Sequence, residues 1–156
     1  MSTAQLVKGC PLFHEIFEDE VEEIIQDCVV ASFRPGDLII KQGDSSSDIC
    51  VILSGSAEVF VNKNENRIPI VKLNRGDLFG ELVLINETQR TADIEAVEET
   101  EVLVITSEHF FSFFNKNPQI FALMVLNVTR LITKRLKGSN QKIEDLYQQL
   151  TQKKAA

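Results

Sequence analysis

The residues best able to do chemistry lie between positions 79 and 96, FGELVLINETQRTADIEA. An acid, Glu81, and a base, Arg90, stand nine residues apart around a short apolar segment. Arginine's planar fork gives two parallel charge-assisted hydrogen bonds to a phosphate. Gly80, ahead of the apolar segment, lets the main chain come close to a ligand. If GELVLI opens a helical turn, its free N–H groups face an anion. A carboxylate beside such a site repels phosphate but accepts a hydrogen bond from a sugar hydroxyl. An arginine for phosphate, an acid for ribose and bare main-chain donors together describe a nucleotide site. The competing reading pairs Glu81 with Arg90 across the loop, and the residue pattern leaves both open.

Other chemistries lack their residues. His14 and His109 are the only histidines, and both fall in predicted helices, so a metal-dependent enzyme lacks its ligands. G-x-S-x-G, the Walker A pattern and G-x-G-x-x-G are all absent. The reading is therefore no enzyme, no metal and no cofactor. Cys10, Cys28 and Cys50 are an odd number without C-x-x-C spacing, and read as small buried hydrophobes in a reducing compartment. The N-terminus lacks a signal-peptide pattern, and the longest apolar run, 120–126, is too short to span a bilayer, so a cytoplasmic protein without membrane contact is expected. Asn86 and Asn127 begin glycosylation patterns that carry meaning only in a secreted chain. The net charge of −7 divides into −12 over residues 1–129 and +5 over residues 130–156. The body should repel nucleic acid, and the basic tail reads as a solvated helix face.

Three regions must position the pair. Residues 1–30 read as helical, with Leu12, Phe13, Ile16, Phe17, Val21, Ile24 and Ile25 at three- and four-residue steps. From about Ser32 to Thr106, short β-like runs (DLII, DICVIL, AEVFV, IPIVKL, ADIEAV and EVLVI) alternate with turn signals. NKNEN reads as a hairpin loop. After Thr106 the helical period returns. Ser107 is placed to cap EHFFSFF, and Asn117-Pro118 ends that helix. A long amphipathic segment follows, with Phe121, Met124, Val125, Val128, Leu131, Ile132 and Leu136 on one face. Gly138-Ser139-Asn140 is expected to interrupt or kink it, and Ile143, Leu146 and Leu150 resume at heptad spacing suited to a second chain. The fold expected is mainly β with flanking helices: one domain over 1–137 and a helical extension over 138–156.

F-G-E-L-x-L-I followed by R-T-A resembles the phosphate-binding cassette of cyclic nucleotide-binding domains. Such domains occur in protein kinase A regulatory subunits, cyclic-GMP-dependent kinases, gated channels and the bacterial catabolite activator protein. PLF near the N-terminus, FRPGDLIIKQGDSSSDICVILSGSAEV at 33–59 and NRGDLFGE at 74–81 resemble the same family's β-roll. The likeness covers residues 8–137 and implies a double-stranded β-helix of jelly-roll type. It implies that Arg90 takes the equatorial oxygen of the cyclic phosphate and Glu81 the ribose 2′-hydroxyl. Main-chain groups of Gly80, Glu81, Leu82 and Ala92 would line the pocket, with Leu82 the apolar hinge contact. Thr91 carries a hydroxyl able to meet guanine's amino group without demanding it. KRLKGSNQKI is similar to the activator's dimer helix, which places Ser139 and Asn140 at the purine; a plain helix kink is the alternative. Tyr147 is a weaker lid candidate.

Asn86-Glu87 and Asp93 depart from the pattern by bringing acid near the phosphate loop, and Cys50 stands where an aromatic is usual. The resemblance implies a sensor for cyclic AMP or cyclic GMP, with a second copy of the chain or an output domain as its protein partner. Two alternatives are a ligand-independent interaction module of the same fold and the sensor half of a transcription regulator.

Overall fold

The computed structural model describes residues 2–85 and 89–156. Two short helices, α1 (Thr3–Val7) and α2 (Glu18–Ile25), flank a 3-10 turn at Pro11–Phe13 and lead into eight strands. These are β1 (Val29–Phe33), β2 (Leu38–Ile40), β3 (Ile49–Ser54), β4 (Ser56–Lys63), β5 (Asn66–Asn74), β6 (Leu78–Phe79), β7 (Asp93–Ala96) and β8 (Thr100–Ile105). A 3-10 turn, Glu81–Leu84, lies between β6 and β7, and α3 (Ser107–Lys116) and α4 (Pro118–Ala155) complete the chain. The strands form two antiparallel four-stranded sheets, ordered β1-β8-β3-β6 and β2-β7-β4-β5. This is the β-roll with flanking helices that the sequence implies.

Burial explains the patterns. ICVIL of β3 is apolar at every position because both faces of the strand are covered. Ile49, Val51 and Leu53 join the core beneath the helices, with Phe110, Phe113, Ile120 and Met124. Cys50 and Ile52 point the other way, into the core between the sheets, with Ile40, Phe79, Ile94 and Val102. Cys50 is thus a packing residue, and burial pushes its thiol up to about 12. The β4–β5 hairpin turns at Asn64 and Glu65, both with positive φ, as a two-residue turn of the primed kind requires.

Three expectations are corrected and one strand is added. β1, whose Val29 and Val30 closed the region read as helical, pairs with β8 from Val29↔Val104 to Phe33↔Thr100. Its partner is more than sixty residues away, so nothing local marks it as a strand. β6 was not among the runs read as strands; its Leu78 and Phe79 pair with Val51 and Cys50. The cap of α3 is Thr106 rather than Ser107: the Thr106 hydroxyl accepts from the His109 N–H at 3.1 Å. Finally, α4 runs unbroken through Gly138-Ser139-Asn140. A Cβ at Gly138 would meet nothing within 4 Å, so the glycine answers no packing demand. It lowers helix propensity by ~1 kcal/mol, which a 38-residue helix absorbs.

The first half of α4 is fixed to the roll. Ile120, Met124, Val128 and Leu131 enter the core, and the buried Asn127 amide donates to the carbonyls of Leu12 (2.9 Å) and His14 (2.7 Å). From Leu136 onward every residue is exposed.

Candidate functional site

Gly80 adopts φ +80 and caps the 3-10 turn at Glu81–Leu84. That turn and the segment Gln89–Ala92 wall a cavity of about 140 Å³, closed behind by Ile40, Val59 and Ile94 of the second sheet. Gly80, Glu81, Leu82, Arg90, Thr91 and Ala92 all line it, so the structure gathers six of the eight candidate residues at one place. Ser139 and Asn140 are exposed on α4 and take no part in that lining. They sit four and five residues past Arg135, roughly 6–7.5 Å further along the helix axis. Tyr147 lies further out still, and is exposed.

Arg90 is 6% exposed. Its Nε–H donates to Ser46 Oγ at 3.0 Å, Nη1 to the Gly80 carbonyl at 3.0 Å, and Nη2 to the Asp48 carbonyl. A guanidinium has five N–H groups. Among the described residues three are spent on the protein, which leaves one on each terminal nitrogen for a bidentate oxyanion. Burial lowers Arg90's pKa from its ordinary value, but arginine begins so high that the group remains a cation. A desolvated, rigidly held cation with two unspent donors at a cavity wall is suited to an anion.

Glu81 is 5% exposed, and its partner is Arg135 of α4. Arg135 Nη1 donates to Glu81 Oε1, while Nη2 donates to the Leu78 carbonyl. The reading in which Glu81 and Arg90 neutralise each other is therefore overturned: each has its own partners, and among the described residues the second oxygen of the cavity-lining carboxylate is unspent. Sequence reasoning missed Arg135, although a signal was present. The buried stripe Met124, Val128, Leu131 continues at four-residue spacing to position 135, where a charge interrupts it. Ser46 and Asp48 left no comparable trace.

Of the acids that seemed to threaten anion binding, Asp93 is turned away. Its oxygens accept from the Gln42 main-chain N–H (2.7 Å) and the Asn62 amide (2.6 Å). Those two donors, the Gln42 N–H foremost, hold its carboxyl below the ordinary carboxylate range. Asn86 and Glu87 lie outside the described residues. Among the described residues no group of His, Cys, Asp and Glu could hold a metal ion, and no helix is long and apolar enough to cross a membrane.

Comparison with known proteins agrees with this geometry. The sequence profile of the cyclic nucleotide-binding domain matches residues 30–117, a span holding nearly all of the β-roll and the whole cavity wall. The chain belongs to the cyclic nucleotide-binding domain family. The "Cyclic AMP receptor protein" of Thermus thermophilus is 28% identical over 139 residues, 88% of this chain and 62% of that protein. The cAMP-dependent protein kinase regulatory subunit of Mycosarcoma maydis is 34% identical over 91 residues, 58% of this chain and 17% of that one. A cGMP-dependent protein kinase of Plasmodium berghei is 35% identical over 94 residues, 60% of this chain and 10% of that one. The chain thus spans under two thirds of each of these relatives. The crystal structure of the Thermus thermophilus catabolite activator protein aligns with a TM-score of 0.76 at 28% identity, covering 87% of this chain and 62% of that one. A cyclic nucleotide-binding domain from Methylobacillus flagellatus shares the fold, with a TM-score of 0.81 at 20% identity, covering 90% of this chain and 80% of that one. Arg135 and the rest of α4 lie outside the span of the family profile.

Proposed function

We propose that this chain is a regulatory module, without catalysis of its own, that binds cyclic AMP or cyclic GMP in the cavity between Glu81 and Arg90. The observation that carries the reading is the state of Arg90: buried, lining the cavity and, among the described residues, held by three acceptors that leave two of its N–H groups unspent. The cyclic phosphate takes those two donors, and the ribose hydroxyl donates to the free side of Glu81. Main-chain groups of Gly80, Glu81, Leu82 and Ala92 close around them. Ile40, Val59 and Ile94 give the ring system an apolar wall. Thr91, exposed at the rim, offers its hydroxyl to either purine. The test is a thermal-shift titration with each nucleotide. Ligand at about 100 times its Kd adds roughly 2.7 kcal/mol to stability. Absence of a shift with both nucleotides at millimolar concentration would sink the reading.

The route from ligand to output runs through Arg135. Glu81 is at once the carboxylate of the cavity and the partner of α4, so any movement of the Glu81–Leu84 turn onto a phosphate pulls on the helix. A ligand shifts such an equilibrium only through its differential affinity for the two arrangements. Replacing Arg135 with Ala should keep nucleotide binding within about tenfold while abolishing the ligand-induced change in hydrogen exchange along α4. An unchanged exchange response would remove Arg135 from the path.

The receiver is a second copy or an output domain. Leu136, Ile143, Leu146 and Leu150 form an exposed stripe along the free half of α4, the region 138–156 included. Leu136, Ile143 and Leu150 are seven residues apart, which suits a paired helix. In such a pair Ser139, Asn140 and Tyr147 of one helix reach toward a bound purine. The same stripe favours the second reading, a ligand-independent interaction module of this fold.

A further inference from the structure

We propose that Ser46 is a positioning residue for the ligand phosphate, acting through Arg90; the proposal rests on the cyclic-nucleotide reading above. Arg90 and the loop at 43–48 are built as one unit. The Gly43 N–H donates to the Arg90 carbonyl at 2.8 Å, and the Arg90 N–H donates to the Asp44 carbonyl at 2.7 Å. The same loop then takes the guanidinium twice, through the Asp48 carbonyl and the Ser46 hydroxyl. Of the three acceptors that the described residues place around that guanidinium, two are main-chain carbonyls, which any residue supplies. Ser46 Oγ is the only side chain among them, and therefore the only one that sequence can tune.

The atom it holds is decisive. Nε is the pivot of the guanidinium, and an acceptor there fixes the rotation of the plane about the Cδ–Nε bond. With the plane fixed, the remaining N–H on each terminal nitrogen points in a set direction, and bidentate recognition of a phosphate depends on that direction. Ser46 is itself outside the cavity wall, so it meets no ligand directly. Its neutrality matters equally. It lies between Asp44 and Asp48. A third acid at 46 would cancel the charge that Arg90 offers and would repel an incoming phosphate. A hydroxyl orients the cation without neutralising it.

The experiment compares the full-length wild type with Ser46→Ala, Ser46→Thr and Ser46→Asp. Each is titrated calorimetrically with the nucleotide that the wild type prefers and with both phosphorothioate diastereomers of that nucleotide. The diastereomers differ only in which exocyclic phosphate oxygen is sulfur, so their affinity ratio reports guanidinium orientation. Ser46→Ala should bind about tenfold more weakly, at the low end for a bond to a charged group because solvent reaches this loop, and the diastereomer ratio should shrink toward one. Ser46→Thr, which keeps the hydroxyl, should restore both affinity and ratio. Ser46→Asp should lose more affinity than Ala, despite offering an acceptor. Ser46→Ala should lower the ligand-free melting temperature only slightly, since Ser46 is exposed and water can take its place at Nε. A general loss of fold would leave the diastereomer ratio unmoved, so the ratio separates loss of positioning from loss of fold. Wild-type affinity together with a wild-type ratio in Ser46→Ala would overturn the assignment and leave the cyclic-nucleotide reading standing. A wild type that binds neither nucleotide overturns both.

Discussion

Replacing Arg90 with Leu should eliminate nucleotide binding, with a loss of affinity of a hundredfold to ten-thousandfold. The leucine removes the guanidinium's two unspent N–H groups, counted among the described residues, and its buried positive charge from the cavity lining. Two hydrogen bonds to an ionised phosphate are worth about 3–6 kcal/mol together when no water can replace them. The substitution also strands the carbonyls of Asp48 and Gly80, which both accept from Arg90. Each costs about 1–3 kcal/mol if it stays dry, so the melting temperature should fall by several degrees while the chain still folds. Calorimetric titration measures the first effect, and denaturation the second. Arg90→Lys refines the result: lysine keeps the charge without the planar fork, so its loss should lie between wild type and leucine. Sedimentation of Arg90→Leu separates the two functional readings. If α4 pairs independently of ligand, the mass in solution is unchanged; if pairing needs the nucleotide, the ligand-driven change in mass disappears. Binding within tenfold of wild type in Arg90→Leu would place the phosphate elsewhere.

Gly80→Ala should cost about 2–4 kcal/mol of stability and weaken nucleotide binding as well. Two causes add. Position 80 sits at φ +80, in the left-handed region, where a Cβ costs roughly 1–2 kcal/mol. The new methyl would also lie 2.8 Å from Arg90 Nη1 and 2.9 Å from the Asp48 carbonyl oxygen. The second of these belongs to the main chain, at the end of the clasp around Arg90, and cannot swing aside as a side-chain tip would. Relief comes by moving Arg90, which carries the stability defect into the binding site. Urea denaturation with and without nucleotide reads both effects. Gly138→Ala is the matched control, with the opposite sign expected. A Cβ there meets nothing within 4 Å and the backbone is helical, so alanine should stabilise by up to ~1 kcal/mol. A Gly80→Ala protein as stable as wild type would mean that the left-handed turn is not required.

The difference between those two glycines shows what could be read from sequence. Gly80 reads as a place where the main chain comes close to a ligand, and it lines the cavity with a left-handed backbone that the sequence did not mark. Gly138-Ser139-Asn140 looked disruptive, but a helix anchored by Ile120, Met124, Asn127 and Leu131 carries through it. The helical ends and most of the strands follow from period and turn chemistry, because those are properties of neighbouring residues. β1 does not: VVASF becomes a strand because β8 is there to pair with it.

The site divides the same way. Residue types at this spacing singled out Gly80, Glu81 and Arg90, and the family resemblance, rather than any shortage of other acids and bases, gave each its role. Which charges partner which was beyond the sequence, because an ion pair is settled by what packing brings within reach. Folding gave Glu81 to Arg135, 54 residues away, and gave Arg90 to Ser46 and Asp48, at separations of 44 and 42. A carboxylate and a guanidinium nine residues apart in the chain share one cavity without touching, since each is held by a different part of the roll.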